Sequence, residues 1–348
     1  MSPRVSVLMA VHDGEPFLHE TLRSVAAQSL SDFEFVVVDD ASSDATLAIL
    51  AQAAATDPRL RIIQQDRNLG LTRALNLGLR AATAPYVARI DADDTFLPER
   101  LERQLCFLED NRDHVAVACG HHLVDGSGQI LATTREPLDD WQVRWLGGFN
   151  PPAPHPTYFF RRLRDDGTAN LYDESFRTAQ DFDFWSRLAL QGRTAVLPEV
   201  LVRYRRHAGA ITVTKRREQA ANCRRTGEAN LARRLPAALV EQLQPLLALF
   251  AYEAAADRTT IRAAVAGCDA MLAHDLAQAP SAFHRNWVRR TAAGLLADAV
   301  LSRGSGLRNP SATAAFLYHA RGHLAPLMRA VAGNPGRARK VLRNIGRF

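Results

Sequence analysis

Apolar and polar positions come in alternating blocks along the first hundred residues. Val5–Val11 is a short, mostly apolar run and predicts a buried strand. Glu15–Gln28 carries Phe17, Leu18, Leu22 and Val25 at helical spacing, which predicts a helix with one apolar face. The alternation then repeats. Phe33–Val38 reads as a strand, and Ala45–Ala55 as a helix capped by the polar turn Ala41–Asp44. Leu60–Gln64 reads as a short strand, Leu71–Ala82 as a helix and Tyr86–Ile90 as a fourth strand. Strands separated by helices of this length predict right-handed βαβ units and a parallel sheet.

After Pro98 the pattern predicts a helix to about Glu109. Strands follow at Val115–Cys119 and Gln129–Thr133, joined by the turn Asp125–Gly128. Asn150–Pro156 holds four prolines in seven residues, which predicts no regular structure. Thr157–Phe160 is strand-like, Thr178–Gln191 helical and Ala195–Arg206 extended. From Lys215 onward, Ala, Leu and Arg recur at helical spacing. Leu243, Leu246, Leu247 and Phe250 form one apolar stripe, and Phe316, Leu317, His319 and Leu324 a less regular one. No internal repeat is visible.

Composition narrows the class. The chain has 348 residues, 47% hydrophobic and 23% charged, enough apolar material for a globular core. No apolar run reaches the ~20 residues that span a bilayer. The N-terminal run has no small-residue cleavage site after it, so it reads as a first strand rather than a signal peptide. Cys106, Cys119, Cys223 and Cys268 lack metal-ligand or redox spacing and fit free thiols in a reducing cytoplasm. The net charge of +6 divides unevenly: residues 215–348 carry +13 and residues 1–214 carry −7. That shift marks a domain boundary near Thr214–Lys215 and gives the C-terminal part a basic character.

The chemistry concentrates at two strand ends. Phe35–Val38 runs into Asp39 and Asp40, and Tyr86–Ile90 runs into Asp91-Ala92-Asp93-Asp94. Clustered carboxylates repel one another and call for a cation, a metal or hydrogen-bond donors. In an open parallel sheet both clusters fall on the edge where ligands bind, which suggests a divalent metal carrying a polyphosphate.

Six segments in order resemble glycosyltransferase family 2, whose members are inverting enzymes of the GT-A fold. They are Val5–Glu15, Val38–Asp44, Asn68–Asn76, Asp91–Asp94, Ala179–Trp185 and Tyr204–His207, and together they cover about residues 4–210. The resemblance does not extend into residues 215–348. It implies an α/β, Rossmann-like fold: a mixed, mainly parallel sheet flanked by helices, here with a C-terminal helical region. Residues 1–110 would bind the nucleotide-sugar, 111–214 the acceptor, and 215–348 would form the basic helical region.

The resemblance also implies roles. At least one of Asp39 and Asp40 would accept a hydrogen bond from a uracil or thymine base. Val11 and His12 would join the donor site, although His12 and Asp13 stand where the family more often has an aromatic residue and Asn. Arg67 and Arg73 suit nucleotide or phosphate contacts. Asp91, Asp93 and Asp94 match the family's metal motif, with Asp93 the first choice for Mg2+ or Mn2+ and His207 a further ligand. Asp91 would contact the donor. Asp181 is the expected general base, with Asp183 in reserve. Thr178–Asp181 also fits a capping box, and a helix N-terminus would keep Asp181 ionised. His155 would lie near the acceptor, and Trp185 would be core or line the acceptor pocket. His121 and His122 read as strand-end surface.

The implied activity is transfer of a hexose or deoxyhexose from a UDP- or dTDP-sugar to a saccharide or lipid-linked saccharide of the cell envelope. No nucleic acid is implied. Other readings fit less well. A phospho-receiver domain would place its acidic pair after the first strand and have a lysine following the phosphorylated Asp, but the only lysines are Lys215 and Lys340. A dinucleotide enzyme would show G-x-G-x-x-G where the chain has His12-Asp13-Gly14-Glu15-Pro16. A nucleotidyltransferase would carry a Gly-rich, basic loop there. A non-catalytic sugar- or lipid-binding protein of the same fold would not need both Asp93 and Asp181. The C-terminal part has two readings: a helical subdomain with a solvated arginine face, or a peripheral contact with an anionic membrane surface through Arg337, Arg339, Lys340, Arg343 and Arg347. The second would place the enzyme on the cytoplasmic face of a membrane.

Overall fold

The computed structural model describes residues 2–207, 216–297 apart from 252, 255 and 256, and residue 299. The chain divides into two compact units, Met1–Lys215 and Arg216–Phe348.

The first unit is built on a nine-stranded sheet. Its first half follows the alternating pattern: β1 (Val5–Val11), α1 (Glu15–Ala26), β2 (Phe33–Asp39), α2 (Thr46–Ala54), β3 (Leu60–Gln64), α3 (Leu71–Ala81) and β4 (Tyr86–Arg89). After β5 (Thr95–Phe96) and α4 (Arg100–Asp110) come β6 (His114–Val124), β7 (Ile130–Thr134), α5 (Asp140–Leu146), β8 (Phe159–Arg161), α6 (Gln180–Leu188) and β9 (Arg193–Arg205). The strand order is β3-β2-β1-β4-β8-β6-β9-β5, with β7 paired to β6. β1 to β4 are mutually parallel, and β8 lies antiparallel between β4 and β6.

The pleat of β1 explains the layers. Val5, Val7 and Met9 face one side with Phe35 and Val37 of β2, under Leu18, Leu22 and Val25 of α1 and Leu101, Leu105 and Leu108 of α4. α3 packs on the other side, where Gly78 leaves room for Leu8 and Val38. Burying such faces contributes on the order of 2 kcal/mol for each large aliphatic side chain. Phe17 departs from the predicted apolar face. It is half-buried and lies under the Arg205 guanidinium, 4.7 Å from its ring centroid.

Element ends shift by a few residues from the sequence pattern. The proline-rich stretch ends in a single 3-10 turn, His155–Thr157, because prolines preset the backbone dihedral for one tight turn. The capping box predicted at Thr178–Asp181 does not form. α6 begins after Ala179, which is left-handed (φ 54) and makes no side-chain cap.

The second unit is helical: α7 (Arg216–Arg234), α8 (Ala237–Gln242), α9 (Gln244–Phe250), α10 (Arg258–Gln278) and α11 (Ala282–Ala297). The stripe Leu243, Leu246, Leu247 and Phe250 is buried in it. Among the described residues no helix is long and apolar enough to cross a membrane. The second apolar stripe and the basic end, Phe316 to Arg347, lie outside the described residues.

Candidate active site

Among the strands that end on one edge of the sheet are β1 at Val11, β2 at Asp39, β4 at Arg89 and β9 at Arg205. Strain gathers there too. Asp13, Ala41 and Ala179 are the non-glycine residues with positive φ among those described, and all three adjoin this edge. Such backbone costs of order 1–3 kcal/mol per residue and persists where surrounding structure enforces it.

Asp39 and Asp40 part company. Asp40 is buried, and both its oxygens accept backbone amides: Leu69 N–H at 2.7 Å and Gly70 N–H at 2.8 Å. Gly70 adopts φ 85, a conformation glycine takes without penalty. Asp40 is therefore a brace for the loop before α3. Asp39 is 1% exposed, and its Oδ1 accepts from the Ser42 N–H and hydroxyl. Its Oδ2 is buried with no hydrogen-bond partner. A buried carboxylate oxygen of this kind can accept a hydrogen bond from a donor group.

Val11 is buried and backs this corner, its carbonyl accepting the Asp40 N–H at 2.8 Å. His12 is exposed, with Nδ1 3.0 Å from the Asp40 carbonyl oxygen. Asp13 Oδ1 accepts the Ser43 N–H at 2.7 Å. Asp44 accepts from Glu15 N–H at 3.0 Å and Thr46 N–H at 2.9 Å, tying the first turns of α1 and α2 together. Arg67 is exposed, and Arg73 is held on the exposed face of α3 by Glu174, at 3.2 Å.

The second acidic cluster opens at β4. Asp93 Oδ2 lies 2.9 Å from His207 Nε2, and the two side chains are 29% and 27% exposed. Burial and then Asp91 push the Asp93 carboxyl up, against the His207 hydrogen bond. Asp94, expected as a metal ligand, instead turns into the fold. It is 0% exposed, and its Oδ1 accepts the Arg205 N–H at 2.6 Å, locking the end of β9. Burial, then Asp93 and Asp91, hold it well above the usual carboxylate range. Among the described residues no three or more His, Cys, Asp or Glu are arranged to hold a metal ion. The expected set of Asp93, Asp94 and His207 is therefore reduced to a pair. Asp93 and His207 still fit a divalent cation that takes few protein ligands and completes its shell from substrate phosphates and water.

Asp181 sits in the first turn of α6. It is reached by solvent yet enclosed by protein, and burial is the main cause that lifts its carboxyl to about 6. The Phe182 N–H and Arg89 act the other way, while Asp91 adds to the rise. The helix N-terminus thus tempers the shift without cancelling it. Such a carboxylate is ionised at neutral pH and a stronger base than an exposed one. Asp183, the reserve, is not solvent-facing: it pairs with Arg187 at 2.8 Å. Tyr204 ties the cluster together, because its phenol is pushed up by burial and then by Asp94, Asp91, Asp181 and Asp93.

His155 is buried, with Nε2 2.7 Å from the Tyr172 hydroxyl, and burial drives it well below its ordinary value, so it is neutral. Trp185 is core and lies 4.3 Å from the Tyr158 ring. His121 is enclosed between β7 and β9 rather than at the surface, and burial lowers it to about 4.

Two cations escaped the sequence reading. Arg89 is 0% exposed, and Nη2 donates to Asp91 Oδ1, while Nε and Nη1 have no hydrogen-bond partner. Arg100, also 0% exposed, donates to the carbonyls of Arg89 (2.9 Å) and Tyr158 (3.1 Å). Burial lowers it to about 9. The available signal for Arg89 was an arginine in the otherwise apolar run Tyr86–Ile90, two residues before the first of the acids.

A mainly parallel sheet with helices on both faces and acidic strand ends along its C-terminal edge is the architecture of the GT-A fold. The S. aureus TarS fragment 1–349, solved with UDP-GlcNAc, shares the fold with a TM-score of 0.57 at 18% identity, covering 94% of this chain and 92% of that one. The mannosyltransferase PcManGT from Pyrobaculum calidifontis, solved with GDP-Man and Mn2+, gives 0.52 at 22% identity, covering 87% of each chain. The family described as Glycosyl transferase family 2 matches residues 6–173. The amylovoran biosynthesis glycosyltransferase AmsE of Erwinia amylovora is 31% identical over 215 residues, 61% of this chain and 79% of that protein. The chain belongs to glycosyltransferase family 2.

Proposed function

We propose that this enzyme is an inverting transferase. It moves a sugar from a UDP- or dTDP-sugar to a hydroxyl of a cell-surface glycan or lipid-linked saccharide, with Asp181 as general base. The observation that carries this reading is Asp181 itself: a carboxyl lifted to about 6, ionised at neutral pH, in the electrostatic neighbourhood of Asp91. Asp181 takes the proton of the acceptor hydroxyl. The acceptor oxygen forms its bond to the anomeric carbon from the face opposite the leaving group. The bond from that carbon to the diphosphate breaks, and the nucleoside diphosphate leaves with the electron pair.

The base reading rests on Asp39. One free, buried oxygen matches the single imide N–H of uracil or thymine, whereas guanine presents two adjacent donors. Val11 and His12 line the same corner, and Arg67 and Arg73 offer cations to the donor from the exposed side. Asp93 and His207 would hold a divalent cation, with Asp91 beside them on the donor. When bound, that cation supplies charge neutralisation for the departing diphosphate. UDP-GlcNAc on TarS and Mn2+ with GDP-Man on PcManGT support a nucleotide-sugar and a metal. The relative named for amylovoran biosynthesis supports a polysaccharide as product. The basic stretch 335–348 suits an anionic membrane surface on the cytoplasmic side, where a lipid-linked acceptor would lie.

The test is thermal stabilisation by a panel of nucleotide-sugars, with Mn2+ or with a chelator. A metal-dependent rise with one uridine or thymidine sugar is expected. A rise confined to GDP-sugars would overturn the base assignment.

A further inference from the structure

We propose that Arg89 is a positioning residue of the transfer site: its buried guanidinium pins Asp91 and supplies the fixed positive charge that balances Asp91 and Asp181 before any ligand arrives. The inference rests on the reading of Asp181 as the base.

The geometry is that of a cation built into the sheet. Arg89 is the last residue of β4. Its N–H donates to the Tyr158 carbonyl at 3.0 Å, and its own carbonyl is gripped by Arg100. The backbone is therefore fixed on both sides. The side chain is 0% exposed, so it does not reach into solvent. It makes one hydrogen bond, to Asp91, and leaves two nitrogens without partners. A buried guanidinium satisfied so incompletely is retained only where nearby negative charge compensates. That charge is the site's own, since Arg89 lowers the carboxyls of both Asp181 and Asp94.

The groups whose charge bears on Asp181, or on which Asp181 acts, come from several elements. Arg89 and Asp91 come from the end of β4, Tyr172 from the loop before α6, and Tyr204 from β9. Arg187, on α6 itself, faces Tyr172 and is paired with Asp183. His155 feels Arg89 and is neutral. Arg89 is thus the cation that acts on Asp181, and Asp91 is the anion that opposes it. Removing either one should move the base in opposite directions.

The experiment is the pH dependence of kcat/KM for wild type, Arg89→Met, Asp91→Asn, the double variant and Arg89→Lys, with donor affinity measured separately by calorimetry. Wild type should show an acid limb near 6. Arg89→Met should move it up by roughly half a pH unit or more, and Asp91→Asn should move it down. The double variant should return towards wild type, and Arg89→Lys should keep the wild-type limb. A limb unmoved in Arg89→Met overturns the assignment and leaves the base reading intact. If Arg89→Met does not fold, the double variant decides instead. Its limb should lie above that of Asp91→Asn, and coincidence of the two overturns the assignment. A wild-type profile with no acid limb between about pH 5 and 7 overturns the reading of Asp181 itself.

Discussion

Asp39 and Asp40 are neighbours in the chain and do unlike work. Asp40 gives both oxygens to the amides of Leu69 and Gly70, whereas Asp39 keeps Oδ2 buried and unpartnered at the ligand edge. Asp40→Asn replaces one acceptor oxygen by a donor facing a backbone N–H. It should cost about 2–3 kcal/mol of stability, read as a lower denaturant midpoint.

Asp39→Asn should act on ligand rather than fold. Its Oδ1 can still accept from Ser42, but the free position then becomes an amide NH2, a donor where the ligand needs an acceptor. Donor affinity should fall roughly tenfold or more, with the unfolding midpoint changed by less than in Asp40→Asn. Titration of the nucleotide-sugar against both variants separates the two effects.

Asp93→Ala should abolish the metal-dependent part of donor stabilisation while leaving the apo melting temperature near that of wild type. Asp94→Ala should do the reverse in the apo protein, because it removes the buried acceptor of the Arg205 N–H, at a cost of about 1–3 kcal/mol. Melting curves with Mn2+ and with chelator, donor present and absent, check both.

Asp181 also carries a stability signature. Its folded value of about 6 lies above the unfolded one, so its contribution is fully present below about pH 4 and is lost as pH rises through 6. At pH 7.5 the ionised carboxylate therefore destabilises the fold. Asp181→Asn should be more stable than wild type there, by roughly 1–3 kcal/mol, and this gain should vanish near pH 4. Melting temperatures across that range read it directly.

Much of this arrangement was legible in the chain. β1 and β3 begin and end where the apolar runs do. Asp91, Asp93, Asp94 and Asp181 all act on the Tyr204 phenol. What was not legible has physical causes. Successive strand residues point to opposite sides, so Asp39 and Asp40 look equivalent in sequence and are not in space. Asp94 reads as part of an acidic run, yet the turn folds it inward to hold Arg205. Thr178-Ala179-Gln180-Asp181 satisfies a capping pattern, but the left-handed Ala179 removes the geometry a cap needs. Arg89 was hidden because a cation inside an apolar strand gives no periodic signal, and its partners arrive from α4, α6 and the turn after β4.

Single-turnover transfer by Asp181→Asn, at saturating concentration of the donor found by thermal stabilisation, tests Asp181 as the base. Donor affinity should stay within a few-fold of wild type while the transfer rate falls by about 100-fold or more. Transfer at close to the wild-type rate, with the donor bound normally, would contradict it.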